Sequence, residues 1–259
     1  MVSKKQIQLV NSLKQKKYRE EHQLFIAEGA KIVPELLRSD IKVEQVFATR
    51  EFLERHTVGE NIECIEVKYN ELERLSAQTT PSEVLAVCKI PVHVFDKKVL
   101  KGKLTLVLDD IKDPGNLGTI IRIADWFGID TIICSKESAD AYNPKVVQAT
   151  MGSIARINLH YLELSELFSD MHTSLDSGKS FPIYGALLEG EDLYKKQLSE
   201  EGIIVIGNES RGISGAVEAF VNQRITIPSF AHYKSGKGEA ESLNAAIATA
   251  IICSEFRRG

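Results

Sequence analysis

The stretch from Leu104 to Phe127, LTLVLDDIKDPGNLGTIIRIADWF, constrains this chain most, because it reads as a strand, a corner and a helix in succession. Leu104-Thr105-Leu106-Val107-Leu108 is a short, β-rich apolar run of the kind that forms a buried strand. Asp109, Asp110 and Asp113 follow, and Pro114-Gly115 is a turn signal. From Asn116 the spacing becomes helical, with Leu117, Ile120, Ile121, Ala124 and Phe127 on one face. Asn116 and Arg122 therefore belong to a strand-to-helix corner, the place where open α/β sheets hold ligands. The residues alone leave two roles open. Either the pair faces a ligand, or Asn116 caps the helix and Arg122 is an exposed helix residue.

Two later segments have related features. Ile204-Val205-Ile206 runs into Gly207-Asn208-Glu209-Ser210-Arg211-Gly212, where a glycine at the strand end allows close backbone approach and Glu209 sits on a turn. An ordinary glycine-rich surface turn has the same composition. The GxxxxGK[ST] spacing of a phosphate loop is absent, and no GxGxxG follows a strand. Ile225–Pro228 then leaves a strand for a polar loop, Ser229–Glu241, which carries Lys234, Gly236, Lys237 and Gly238. Ser242-Leu243-Asn244 opens the last helix, to about Phe256, and Ser242 alone reads as its N-cap.

DPGNLGTIIRIADWFG closely resembles motif 1 of the SpoU (TrmH-type) RNA 2'-O-ribose methyltransferases of the SPOUT class. IVIGNESRGIS and ITIPSFAHYKSGKGEAESLNAAIA resemble that family's motifs 2 and 3, in the same order. The loop before Ser242-Leu243-Asn244 is longer than is common there, and Ala245-Ala246 replaces a frequent Val-Ser. The resemblance implies an α/β trefoil knot over residues 103–259, which periodicity alone cannot reveal. It implies S-adenosyl-L-methionine as cofactor, bound near Leu187, Gly207, Asn208, Gly212, Ile227 and Leu243. It also implies Asn116, Arg122, Glu209, Ser242 and Asn244 as catalytic residues, transferring methyl to a ribose 2'-hydroxyl of structured RNA (rRNA or tRNA). A guanidinium is a poor base, so Arg122 is expected to act as an electrostatic stabiliser. Members of the family pair so that motif residues of both chains lie near one active site, which implies a homodimer.

Residues 1–95 read as a smaller α/β domain in which strands alternate with short helices. Lys4–Lys17 has one amphipathic helical spacing, Leu24–Ala27 is a strand, and FIAEGAKIVPELL resembles the L30e-like substrate-binding domain of many SpoU proteins. Pro91–Gly102 has the composition of a linker. The net charge of −4 is not that of a general nucleic-acid binder, but residues 1–19 contain six cations and no acid. Lys14, Lys16, Lys17 and Arg19 are therefore expected to contact RNA phosphates, with a solvated helix face as the alternative. Cys64, Cys88, Cys134 and Cys253 are scattered, without ligand spacing, so no metal site is expected. No apolar run approaches the ~20 residues of a membrane span, and the N-terminus lacks a signal-peptide core. A cytoplasmic protein without membrane contact is the expectation. Two rivals remain, a SPOUT enzyme that methylates a base and an RNA-binding protein that keeps the fold without catalysis.

Overall fold

The computed structural model describes residues 2–174, 181–230 and 242–258. The N-terminal elements are α1 Lys4–Ser12, α2 Lys16–His22, β1 Leu24–Glu28, α3 Ile32–Leu37, β2 Val43–Ala48, α4 Arg50–Arg55, β3 Glu63–Glu66, α5 Tyr69–Leu75 and β4 Val84–Lys89. After a 3-10 turn at Lys97–Leu100 come β5 Leu104–Leu108, α6 Pro114–Trp126, β6 Thr131–Ser135, α7 Pro144–Thr150, β7 Asn158–Leu162 and α8 Leu164–Ser174. The chain continues with β8 Ile183–Asp192, β9 Gly202–Ile206, α9 Gly215–Glu218, β10 Gln223–Thr226 and α10 Ala245–Phe256. Contacts divide it into two compact units, one of residues 1–92 with 140–156 and one of residues 93–139 with 157–259.

The first unit is built on a four-stranded sheet in the order β1-β4-β2-β3, in which only β2 and β3 run parallel. Val10, Leu13, Ile26, Phe47, Leu72, Leu75 and Leu85 pack into one core cluster. The single helix expected over Lys4–Lys17 is two helices. α1 starts with a Ser3/Gln6 capping box and ends at Leu13, where the Arg19 guanidinium donates to the Leu13 carbonyl at 2.8 Å. That bond satisfies a carbonyl left without a helical partner at the α1 terminus. Arg19 is only 2% exposed, and its Nε donates to Asp140 Oδ2 at 3.0 Å. Its expected place on an RNA-contacting patch is thus corrected, because the guanidinium is spent inside the unit.

Residues 140–156 pack with the N-terminal residues although they lie far along the chain. Tyr142 meets Phe25 with ring centroids 5.0 Å apart, Ala141, Val146 and Val147 are buried, and Arg156 pairs with Glu35 at 2.7 Å. A Cβ on Gly152 (φ 100°) would lie 2.9 Å from the Glu35 side chain, so only glycine fits there.

The second unit is a six-stranded sheet, β10-β8-β9-β5-β6-β7, with every neighbouring pair parallel. β5, β6 and β9 are buried along their whole length, as expected of strands covered on both faces. Glu189-Gly190-Glu191-Asp192 has the composition of an acidic turn but belongs to β8. The β8–β10 register shifts between Arg224 and Ile225, and a Cβ on Gly190 would lie 2.9 Å from the Ile225 backbone. Glycine here permits a bulge, not a turn. The last helix begins at Ala245 with Asn244 as N-cap, so Ser242 lies outside it. Most of the lengthened loop, including Lys234, Gly236, Lys237 and Gly238, lies outside the described residues.

Because Arg19 is buried, removing its partner strands a charge. Asp140→Ala is expected to destabilise the first unit by about 3–5 kcal/mol. A fall in the urea midpoint measures it, and an unchanged midpoint would show the pair to be dispensable.

Candidate active site

The site forms at the C-terminal ends of β8, β9, β10 and β5, where parallel strands hand over to loops. Residues 207–214 after β9 make a tight crossover. Asn208 and Gly212 exchange backbone hydrogen bonds of 3.0 and 2.8 Å, and Asn208 Oδ1 accepts from the Ser210 and Arg211 N–H groups. A Cβ on Gly207 would lie 2.3 Å from the Gly212 and Ile213 backbone, so this glycine permits the crossing. The corner after β5 fixes both ends of the loop. The buried Asp109 accepts from the Ser214 N–H at 2.7 Å, and the Asp110 carbonyl accepts from Asn208 Nδ2 at 2.9 Å. The sequence reading gave Asp109, Asp110 and Arg211 no role. The one visible signal for the two acids is their place directly after an apolar strand, a pattern shared with many solvated turns.

Three of the expected catalytic side chains meet around the α6 N-terminus. Asp113, not Asn116, is the N-cap, accepting from the Asn116 N–H at 2.7 Å, with Pro114 in the first turn. This frees the Asn116 amide. Its Nδ2 donates to Glu209 Oε1, and its Oδ1 accepts from Asn244 Nδ2 at 2.8 Å. Asn244 still caps α10, its Oδ1 accepting from the Ala246 and Ile247 N–H groups at 3.0 and 3.2 Å. Each Asn thus has its flip state fixed by use of both ends of the amide. Ser242 Oγ donates to the Glu209 carbonyl at 3.3 Å, which links the start of the last segment to the loop after β9.

Beside this cluster lies a cavity of about 490 Å³. All six residues expected at the cofactor, Leu187, Gly207, Asn208, Gly212, Ile227 and Leu243, line it, together with Glu209 and Ser242. Ile206, Ala245, Ala248 and Ile252 add apolar wall, and Glu218 and Arg224 pair at 2.8 Å on its lining. An apolar slot with a few polar groups, in this size range, suits a small organic ligand.

Arg122 is not part of the cluster. It sits six residues beyond Asn116 on α6, about 9 Å along the axis at 1.5 Å per residue. It shares an exposed stripe with Gly115, Thr119 and Trp126. In the first unit, Lys16 and Lys17 are exposed, with Lys16 3.7 Å from Glu20 and Lys17 over the Tyr18 ring. Lys14 donates to the Ser76 carbonyl at 2.6 Å, and burial pushes its ammonium pKa down, opposed by Glu28. Among the described residues no group of three His, Cys, Asp or Glu is placed to hold a metal ion.

Residues 103–254 match the SpoU rRNA Methylase family, and residues 4–86 match the MRM3-like substrate binding domain. A TrmH-family structure from Porphyromonas gingivalis is 39% identical, with a TM-score of 0.87 over 100% of this chain and 99% of that one. The AdoMet-bound rRNA methyltransferase of Sinorhizobium meliloti is 28% identical, with a TM-score of 0.80 over 100% and 97% of the two chains. The 23S rRNA (guanosine(2553)-2'-O)-methyltransferase RlmP of Bacillus subtilis is 28% identical over 93% of this chain and 92% of its own. With its family match, its parallel sheet and its motif residues around one cavity, the chain belongs to the SpoU family of SPOUT α/β-knot methyltransferases.

Proposed function

We propose that this protein transfers a methyl group from S-adenosyl-L-methionine to a ribose 2'-hydroxyl of ribosomal RNA. The observation that carries the reading is the Glu209–Asn116–Asn244 chain beside a cavity lined by all six expected cofactor residues. The residues present fit the cofactor. Gly207 lines the cavity without a side chain, and Leu187, Ile227 and Leu243 offer apolar contact to a flat base. When bound, the cofactor supplies an electrophilic methyl on a sulfonium. The protein's task is then alignment of the ribose and stabilisation of the developing alkoxide. Glu209, held by Asn116, presents acceptor oxygens to a ribose hydroxyl, Ser242 holds the loop that carries it, and Asn244 holds Asn116. Arg122 carries a guanidinium, a poor base, and so serves as an electrostatic stabiliser. The RlmP relative, matched over 92% of its length, supports ribosomal RNA as the substrate class, and the match of residues 4–86 supports an RNA-holding role for the N-terminal domain, with Lys16 and Lys17 as exposed cations.

The reading includes a homodimer. Trp126 is 84% exposed beside Arg122, and α10, apolar nearly all round, leaves Ile247 53% exposed. A helix without a polar face calls for cover on every side. A second copy over α6 and α10 would bury these residues and bring Arg122 into an enclosed site.

The direct test uses an RNA whose target nucleotide is 2'-deoxy. It should accept no methyl, whereas undiminished methylation would favour base modification. Arg122→Ala should lower kcat about 10²–10³-fold, in the range of lost oxyanion stabilisers, with cofactor affinity changed less than about threefold. Gly207→Ala should instead abolish cofactor binding by calorimetry, because its Cβ has no room. In light scattering, Trp126→Glu should give a monomer, and a monomeric unsubstituted protein would contradict the dimer.

A further inference from the structure

The corner after β5 holds a charged group that the transfer chemistry leaves unused. Asp110 has a φ of 60°, uncommon for a residue other than glycine although Asp tolerates it. Its backbone is held at both ends, the N–H donating to Ser135 Oγ at 3.0 Å and the carbonyl accepting from Asn208 Nδ2 at 2.9 Å. Its two carboxylate oxygens serve different cations. Oδ1 lies 2.6 Å from Lys112 Nζ, and Oδ2 accepts from the Arg211 guanidinium. Lys112 also donates to the Glu137 carbonyl at 2.6 Å, which fixes its ammonium from a second side. The carboxylate is 18% exposed, while the Lys112 and Arg211 side chains are 52% and 71% exposed. One partly buried carboxylate therefore orients two exposed cations and neutralises only one of them. Arg211 also lines the cavity, two residues after Glu209.

We propose that Asp110 organises Lys112 and Arg211 into a clamp for an RNA phosphodiester next to the nucleotide being methylated, an inference that rests on the reading of the site given above. The chemistry suits a phosphate. The guanidinium presents five donors in a planar fork, and the bond to Asp110 leaves others available for phosphate oxygens. Lys112 adds a point charge beside it. Exposed ion pairs are weak, so the cations can be shared with a phosphate at little loss. Phosphate contacts set the register of a nucleic acid on a protein, and register is what a ribose-directed transfer requires. Asp110 acts through the two cations and is a positioning residue.

The test measures binding of the full-length protein to an unmodified 23S rRNA transcript over a range of salt, with S-adenosyl-L-methionine affinity measured in parallel by calorimetry. Arg211→Ala and Lys112→Ala should each weaken RNA binding about tenfold at low salt and lower the salt slope by about 1. Asp110→Asn separates an organised clamp from simple charge. Deleting a negative charge beside a polyanion tightens binding if charge alone counts, whereas loss of the organising carboxylate weakens it, by about threefold or more. Asn also tolerates the left-handed backbone, and unchanged cofactor affinity will report an intact loop. Tighter binding by Asp110→Asn would overturn the clamp. An unchanged salt slope in both cation variants would do the same. A protein that binds the transcript, with the slopes predicted, but transfers no methyl would keep the clamp and refute the reading beneath it.

Discussion

The amide of Asn116 is the interaction on which the rest of the site depends. It joins Glu209 and Asn244, which lie 93 and 128 residues further along the chain, so one side chain ties α6 to the loop after β9 and to the start of α10. It can do so because the helix-capping work is done elsewhere. Asp113 satisfies the free N–H groups at the α6 start, and Asn244 caps α10 with its carbonyl while its NH₂ reaches Asn116. The chain is half-buried at Asn116 and Glu209 and exposed at Asn244, so its worth lies in the geometry it fixes.

Backbone geometry supplies the second constraint. The loop carrying Glu209 is clamped at both ends by Asp109 and Asp110 and crosses itself where Gly207 leaves room. These features hold one wall of the cavity without bulky side chains, so a ligand can meet backbone directly. Rigid strands beneath and short loops above are the usual way to place reacting groups within tenths of an ångström.

The sequence exposes local pattern and hides long-range pairing, and the particular residues show where that line falls. Leu104–Leu108 was legible to the residue, because a strand buried on both faces is nearly continuously apolar and Thr105 is its one polar member. The motif residues pointed to one place, and Glu209, Asn116, Asn244 and the cavity-lining residues do converge. Arg122 does not join them within one chain, since its side of α6 is set by helical phase and faces outward. Arg19 read as surface charge because its partner, Asp140, is 121 residues away. The packing of residues 140–156 with the N-terminal residues was hidden for the same reason. Glu189–Asp192 has the composition of a turn, and only pairing with β10 makes it a strand.

Whether Asn116 and Glu209 act as one unit can be read from a double-mutant cycle on the rate of methyl transfer. Asn116→Ala, Glu209→Ala and the double variant are compared at saturating cofactor and RNA. If the amide serves to hold the carboxylate, the double variant should be no slower than the slower single variant, because groups that act together are non-additive. Rate losses that multiply would show instead that the two residues contribute independently and that the amide does not hold the carboxylate for catalysis.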